Sequence, residues 1–302
     1  MKCLVTGGAG FIGSNLVDRL INEGHQVIVI DNESSDAHEE FYWNEKAENH
    51  KLDICDYENI YDLFEGVDVV FHLAAEARIQ PTIVNPRLAV NSNVIGTFNI
   101  LEAARHQNVK RVVYSSTSSA YGLKNKPPLS EEMKKDCLNP YSVTKTCGEE
   151  MALMYSSLYN LETVVFRYFN VYGNRQPLKG QYAPVVGIFL RQRGQKTPLT
   201  IVGDGTQRRD FTHVDDIVEA NIRASDLLNS KCVGEIINVG TGINHSILEL
   251  AELIDDNHVY LKSRRGEAEV TLASTKKIFQ VFNWKPKNKL TTWVKKQINK
   301  EL

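Results

Sequence analysis

Two hydrophobic patterns alternate along the first half of the chain. Short unbroken apolar runs, such as Cys3-Leu4-Val5 and Val27-Ile28-Val29-Ile30, flank segments whose apolar residues recur every three or four positions, such as Phe11 to Ile21. An unbroken run predicts a parallel strand covered on both faces, and the three-to-four spacing predicts a helix with one buried stripe. Strands are therefore expected at Gln26 to Ile30, Val67 to Leu73, Arg111 to Ser115 and Thr163 to Arg167. Helices are expected over Asn91 to Gln107, with Val94, Ile95, Phe98, Leu101 and Ala104 on one face, and over Tyr141 to Tyr159. Repeated strand–helix units build a doubly wound parallel sheet, so the expected fold class is α/β.

Past Asn170 the pattern changes. Gly, Pro and polar residues are dense through Gln181, followed by a short helix (Val185 to Arg193) and a strand (Leu199 to Val202). Ile236 to Val239 reads as a late strand of the large sheet. This predicts a sheet domain from residues 1–169 and 210–240, and a smaller lobe from residues 170–209 and 241–302.

Composition narrows the function classes. A net charge of −2 gives no electrostatic pull toward nucleic acid or an anionic membrane. No apolar stretch approaches the ~18 residues of a membrane span. The first core strand is expected to begin at once, so no signal peptide is expected. The five cysteines are scattered and odd in number, and the eight histidines show no ligand spacing. Reduced thiols, a cytoplasmic location and no metal site are expected.

The first strand runs into Thr6-Gly7-Gly8-Ala9-Gly10-Phe11-Ile12-Gly13-Ser14, which opens the first helix. A glycine turn there lets backbone approach a pyrophosphate and lets helix pack close to strand, while the helix start offers unpaired N–H groups. Asp31 ends the second strand, 18 residues after Gly13. An acid there accepts hydrogen bonds from a ribose diol and repels a 2′-phosphate, so NAD is favoured over NADP. Tyr141-Ser142-Val143-Thr144-Lys145 places Lys145 one helical turn from Tyr141, where its charge is expected to lower the phenol pKa and suit it to proton transfer. Ser115-Ser116-Thr117-Ser118-Ser119 follows a strand's carboxyl end, where open α/β sheets bind ligands.

These motifs, with Asp53-Ile54, His72-Leu73-Ala74-Ala75, Asn91 to Thr97, Asn139-Pro140, Arg167 to Gly173, Arg209-Asp210-Phe211 and Asn238-Val239-Gly240, resemble the extended short-chain dehydrogenase/reductases of the NAD-dependent epimerase/dehydratase family. The likeness runs nearly end to end and is nearest to the UDP-glucose and UDP-N-acetylglucosamine 4-epimerases. It implies that Gly7, Gly10, Phe11, Ile12 and Gly13 line the pyrophosphate of NAD, that Asp31 and Asn32 hold the adenosine ribose, and that Asp53 and Ile54 hold the adenine. Leu73, Ala74 and Ala75 would flank the cofactor, with Asn93 nearby and Ser115, Tyr141, Lys145 and Tyr168 at its nicotinamide end. Thr117, Tyr141 and Lys145 occupy the catalytic positions.

Asn170, Arg209, Arg264 and Glu267 match positions that grip the UDP moiety, and Arg209 has a surface ion pair with Asp204 or Asp210 as its alternative. Thr271 matches the position that walls the sugar's carbon 2, and its small size implies room for an N-acetyl group. Departures occur at Arg264-Arg265-Gly266-Glu267, Ala273-Ser274 and Asn283-Trp284.

Related dehydratases place an Asp-Glu pair after the catalytic Thr, and decarboxylases an acid; here Ser118-Ser119 follow. The implied activity is therefore 4-epimerisation of a UDP-sugar by reversible hydride transfer to bound NAD. Other NAD-dependent nucleotide-sugar enzymes (a glucuronate epimerase or decarboxylase, a reductase, a dehydratase) and a non-catalytic NAD-binding scaffold stand as alternatives. The resemblance also implies a homodimer formed by the two long helices; the second offers Met151, Leu153, Met154, Tyr155 and Leu158, more apolar surface than one buried face needs.

Overall fold

Successive residues of the inner strands face opposite sides of one sheet, and both sides are buried. Cys3, Val5, Val27 and Val29 join one core, while Leu4, Ile28 and Ile30 join the other. This is why the strands are unbroken apolar runs instead of alternating ones. The computed structural model describes residues 1–178, 183–263 and 268–300.

The strands are β1 Lys2–Thr6, β2 Gln26–Asp31, β3 Glu48–Lys51, β4 Val69–His72, β5 Arg111–Thr117, β6 Glu162–Tyr168, β7 Val171–Tyr172, β8 Leu199–Val202, β9 Arg208–Asp210, β10 Thr212–His213, β11 Glu235–Val239, β12 Asn244–Ser246 and β13 His258–Leu261. The helices are α1 Phe11–Asn22, α2 Tyr57–Ile60, α3 Ile79–Val84, α4 Pro86–Val90, α5 Thr97–His106, α6 Pro140–Tyr159, α7 Val185–Gly194, α8 Val214–Ser225, α9 Ile247–Ile254, α10 Lys276–Phe282 and α11 Leu290–Lys300.

Seven strands form the sheet in the order β11-β6-β5-β4-β1-β2-β3, and every neighbouring pair is parallel. Helices α1 and α8 cover one face through Leu16, Val17, Leu20, Ile217 and Ala224. Helices α5 and α6 cover the other through Ile100, Leu101, Ala104 and Tyr155. The chain is thus a doubly wound α/β fold of Rossmann type, and strand order reverses between β1 and β4, where such sheets open a ligand crevice. Three two-stranded sheets, β10-β7, β12-β9 and β13-β8, lie outside it. A third core, including Phe189, Leu199, Ile201, Phe211, Leu250 and Val294, packs α7, α9 and α11 around them.

Two local features differ from the sequence pattern. The expected helix from Asn91 opens as a π-helical turn, Asn91–Gly96, joining α4 to α5. On it Leu101 and Ala104 are buried, but Ile95 and Phe98 are 47% and 45% exposed. Apolar spacing marks a surface that avoids water without saying what covers it. Strand β3 escaped the pattern because Glu48-Asn49-His50-Lys51 is polar; among the described residues it is an edge strand paired only with β2.

Candidate active site

A cavity of about 980 Å³ runs along the carboxyl ends of the central strands and on between the small sheets. Its walls include Gly7, Gly10, Phe11, Ile12, Asp31, Asn32, Asp53, Ile54, Leu73, Ala74 and Ala75 at one end. Ser115, Thr117, Tyr141, Lys145 and Tyr168 lie along it, and Asn170, Arg209 and Thr271 line it as well. Arg264 and Glu267 lie outside the described residues. Gly13 and Asn93 are not on the cavity wall; each stands behind it with a definite task.

The glycine turn is shaped by close approach. Gly7 has φ +68°, and a Cβ on it would sit 2.7 Å from the Ala74 backbone nitrogen. A Cβ on Gly13 would lie 2.1 Å from the Gly7 carbonyl oxygen. Side chains at either position would push the turn, α1 and the segment after β4 apart. Gly10 starts α1 without a side-chain cap, leaving the N–H groups of the first turn for another acceptor. Asp31 accepts from the Ala9 N–H at 3.1 Å and the Glu33 N–H at 2.8 Å, which fixes its carboxylate beside this turn. Asn32 donates to Asp53 at 3.0 Å, joining the ends of β2 and β3. A bare helix start, a turn with no room for Cβ atoms and a fixed acid one strand away fit a dinucleotide.

The side chains expected to be catalytic come from β5 and α6. Asn139 caps α6 by accepting from the Ser142 N–H at 2.9 Å, and Pro140 supplies the first helical residue. Tyr141 is thereby held in the first turn, on the same cavity wall as Thr117, whose hydroxyl favours the phenolate. Thr117 Oγ1 also accepts from the Ser119 N–H at 3.1 Å.

Lys145 is buried, with Nζ 4.4 Å from the centre of the Tyr114 ring. Burial brings its pKa down to about 7, opposed by the charge of Glu149. The Tyr141 phenol is raised by burial; the Thr117 hydroxyl opposes the rise and the Glu76 charge adds to it. The Lys145 ammonium lies over the Tyr114 ring, and burial weakens its charge.

A polar scaffold stands under these groups. Ser116 donates to Glu149 at 2.6 Å, and Arg167 holds the same carboxylate through Nε and Nη2 at 2.8 and 2.7 Å. This buried cluster ties β5, β6 and α6 together immediately beside Thr117 and Tyr168. The Tyr168 hydroxyl accepts from Ser115 at 3.1 Å and Asn221 at 2.8 Å. Burial raises its pKa to about 12, so it stays a neutral ring on the wall.

Elsewhere on the cavity wall, Asn170 donates to the Asp210 carbonyl at 2.9 Å. Arg209 Nη1 donates to the carbonyls of Arg208 and Glu269, both at 3.1 Å. Asp210, one of its possible partners on sequence grounds, instead accepts from the backbones of Thr241, Gly242 and Ala273.

Sequence reasoning missed Glu76, which lines the cavity. No motif announces it, because it follows the recognisable Leu73-Ala74-Ala75 segment and belongs to no repeated spacing. Asn93, buried in the π-helical turn, accepts from the Glu76 N–H at 2.8 Å and donates to its carbonyl at 3.1 Å and to Thr144 at 3.0 Å. Asn93 thus anchors the wall from behind.

The model of the NAD dependent epimerase/dehydratase family matches residues 3–240. Over 315 residues the chain is 36% identical to a UDP-glucuronate 4-epimerase of Thermodesulfobacterium geofontis, covering 98% of this chain and 94% of that one. It is 35% identical over 309 residues to a UDP-glucose 4-epimerase of Mycolicibacterium smegmatis, covering 99% and 97%. The crystal structure of the UDP-glucose 4-epimerase of Thermotoga maritima with UDP-glucose superposes with a TM-score of 0.92 at 34% identity, covering 99% of this chain and 98% of that one.

Proposed function

This chain belongs to the NAD-dependent epimerase/dehydratase family, and we propose that within it the protein is a UDP-sugar 4-epimerase. The observation that carries the reading is that Thr117 and Tyr141 share the cavity wall, with Lys145 one turn along the same helix as Tyr141. Ser118 and Ser119 follow Thr117 where a water-eliminating site needs an acid and a base. Residues 1–169 and 210–240 form the cofactor domain in this reading, and residues 170–209 and 241–302 the nucleotide-sugar lobe.

When bound, NAD would accept a hydride from carbon 4 of the sugar and return it. Gly7, Gly10, Phe11 and Ile12 would hold its pyrophosphate, and Asp31 its adenosine ribose. Asp31 also excludes a 2′-phosphate, because its fixed carboxylate would meet a second anion. Tyr141 takes the proton of the sugar's 4-hydroxyl and later gives one back. Thr117 holds the reacting oxygen against Tyr141. Lys145, when protonated, favours the phenolate. The cavity would have to let the sugar turn over between the two proton transfers, so that its other face meets the cofactor. Asn170 and Arg209 hold the UDP moiety during this turn, Arg209 by pairing its guanidinium with phosphate. Thr271 leaves room at carbon 2, so N-acetylated sugars are accepted beside plain hexoses.

Two copies pair through α5, the π-helical turn before it, and α6, whose outer faces carry Ile95, Phe98, Val143, Met154 and Leu158 exposed. Incubation with UDP-glucose and with UDP-N-acetylglucosamine, products resolved by chromatography, tests the activity. The 4-epimer of each is expected; a dehydrated, reduced or decarboxylated product, or none, defeats it.

A further inference from the structure

Glu76 is a carboxylate built into the wall of the reaction chamber. It lines the same cavity as Thr117 and Tyr141, and its charge reaches the Tyr141 phenol. Its backbone is pinned on both sides by Asn93, which bonds in turn to Thr144, the residue before Lys145 on α6. The Glu76 backbone therefore keeps a fixed relation to the helix that presents the reactive phenol. Its side chain is 21% exposed. Burial raises the carboxyl pKa, while the Arg78 charge and the N–H groups of Arg78 and Ala77 favour the anion.

The neighbouring cations do not cancel this charge in favour of an acidic substrate. Arg78 Nε lies 3.9 Å from Glu76 Oε1, and the same guanidinium is bonded to Asp36. Arg78 is thus already faced by two carboxylates. Lys145 lies over the Tyr114 ring, and the charge of Glu149 bears on it. A sugar hydroxyl meeting Glu76 gains an acceptor, whereas a sugar carboxylate meets a like charge with little water to screen it.

We propose that Glu76 is a charge filter: it fits the site to UDP-linked neutral sugars and excludes those whose ring carries a carboxylate. The proposal deepens the epimerase reading and rests on it for the placement of the sugar against Tyr141. It separates the two chemistries named for the relatives at 36% and 35% identity, the uronate and the neutral hexose. Specificity of this kind comes from a repulsive group set against the wrong ligand.

The test measures binding of UDP-glucose and UDP-glucuronate to the NAD-loaded protein by calorimetry, in wild type, Glu76→Gln and Glu76→Ala. Products are analysed in the same samples. Wild type is expected to prefer UDP-glucose by at least ~10-fold, and both variants to lose most of that preference. The Asn93 bonds use only the Glu76 backbone, so neither substitution removes them. Equal binding of the two sugars by wild type, or a preference unchanged in both variants, overturns the filter. Preference without any 4-epimer sinks the epimerase reading and leaves the filter standing. Efficient epimerisation of both sugars by wild type does the reverse.

Discussion

Asn170 Nδ2 donates to Thr271 Oγ1 at 3.1 Å, so the side chain proposed to grip the nucleotide is braced by the one proposed to wall the sugar pocket. The Asp210 N–H bonds the same oxygen at 3.2 Å. Thr271 is therefore both a wall and a peg, and a substitution there acts in two ways. Thr271→Tyr is expected to lose the N-acetylated substrate selectively, because the ring fills the space at carbon 2. It also removes the Asn170 acceptor, which weakens both substrates alike. Thr271→Ser keeps the hydroxyl and should accept both. The reading is the ratio of kcat/KM for UDP-N-acetylglucosamine to that for UDP-glucose; a ratio unmoved by the tyrosine refutes Thr271 as the gate.

Tyr141→Phe keeps the ring and removes the hydroxyl. Turnover should fall by at least ~10²-fold, the scale of one acid–base group, while NAD stays bound. Near-normal turnover in this variant would end the mechanism.

Much of this architecture was legible because burial on both faces leaves a plain mark. Val27 to Ile30 and Val112 to Tyr114 are apolar without interruption, and both lie in the large sheet. The glycine turn was legible because close approach permits only glycine at Gly7 and Gly13. What escaped has equally physical causes. Strand β3 is polar because it has one neighbour and an open edge. Ile95 and Phe98 carry the helical spacing of a core face yet lie outside it. The π-helical turn that aims Asn93 at the Glu76 backbone leaves no periodic signal. Glu76 and the Ser116–Glu149–Arg167 cluster are long-range pairings, set by three-dimensional neighbours.

His72 predicts how stability depends on pH. It is buried between Thr6 Oγ1 at 2.7 Å and Thr97 Oγ1 at 2.9 Å, and burial lowers its pKa from the ordinary 6.5 to about 3. Between those values the unfolded chain binds a proton at this residue that the folded chain does not. Its contribution is thus fully present above pH 6.5 and lost as pH falls toward 3, with a slope of about 1.4 kcal/mol per pH unit from this one group. Urea denaturation of wild type and His72→Gln across this range checks it: the variant's curve should be shallower by one proton, and parallel curves would contradict the assignment.

The exposed apolar face of α6 predicts assembly. Leu158 is 63% exposed, and Val143 and Met154 accompany it on the same helix. A homodimer with two-fold symmetry is expected by light scattering at micromolar concentration, and Leu158→Glu should shift it toward monomer. A monomeric wild type refutes the pairing.

The central claim is that a hydride leaves carbon 4 of the sugar and returns to it without exchange. A UDP-hexose carrying deuterium at carbon 4, turned over in ordinary water and examined by mass spectrometry and proton NMR, tests this most directly. The account predicts a 4-epimer that retains the deuterium at carbon 4, formed in large excess over protein with no accumulation of reduced cofactor. Loss of the label to solvent, or a product formed without inversion at carbon 4, would contradict it.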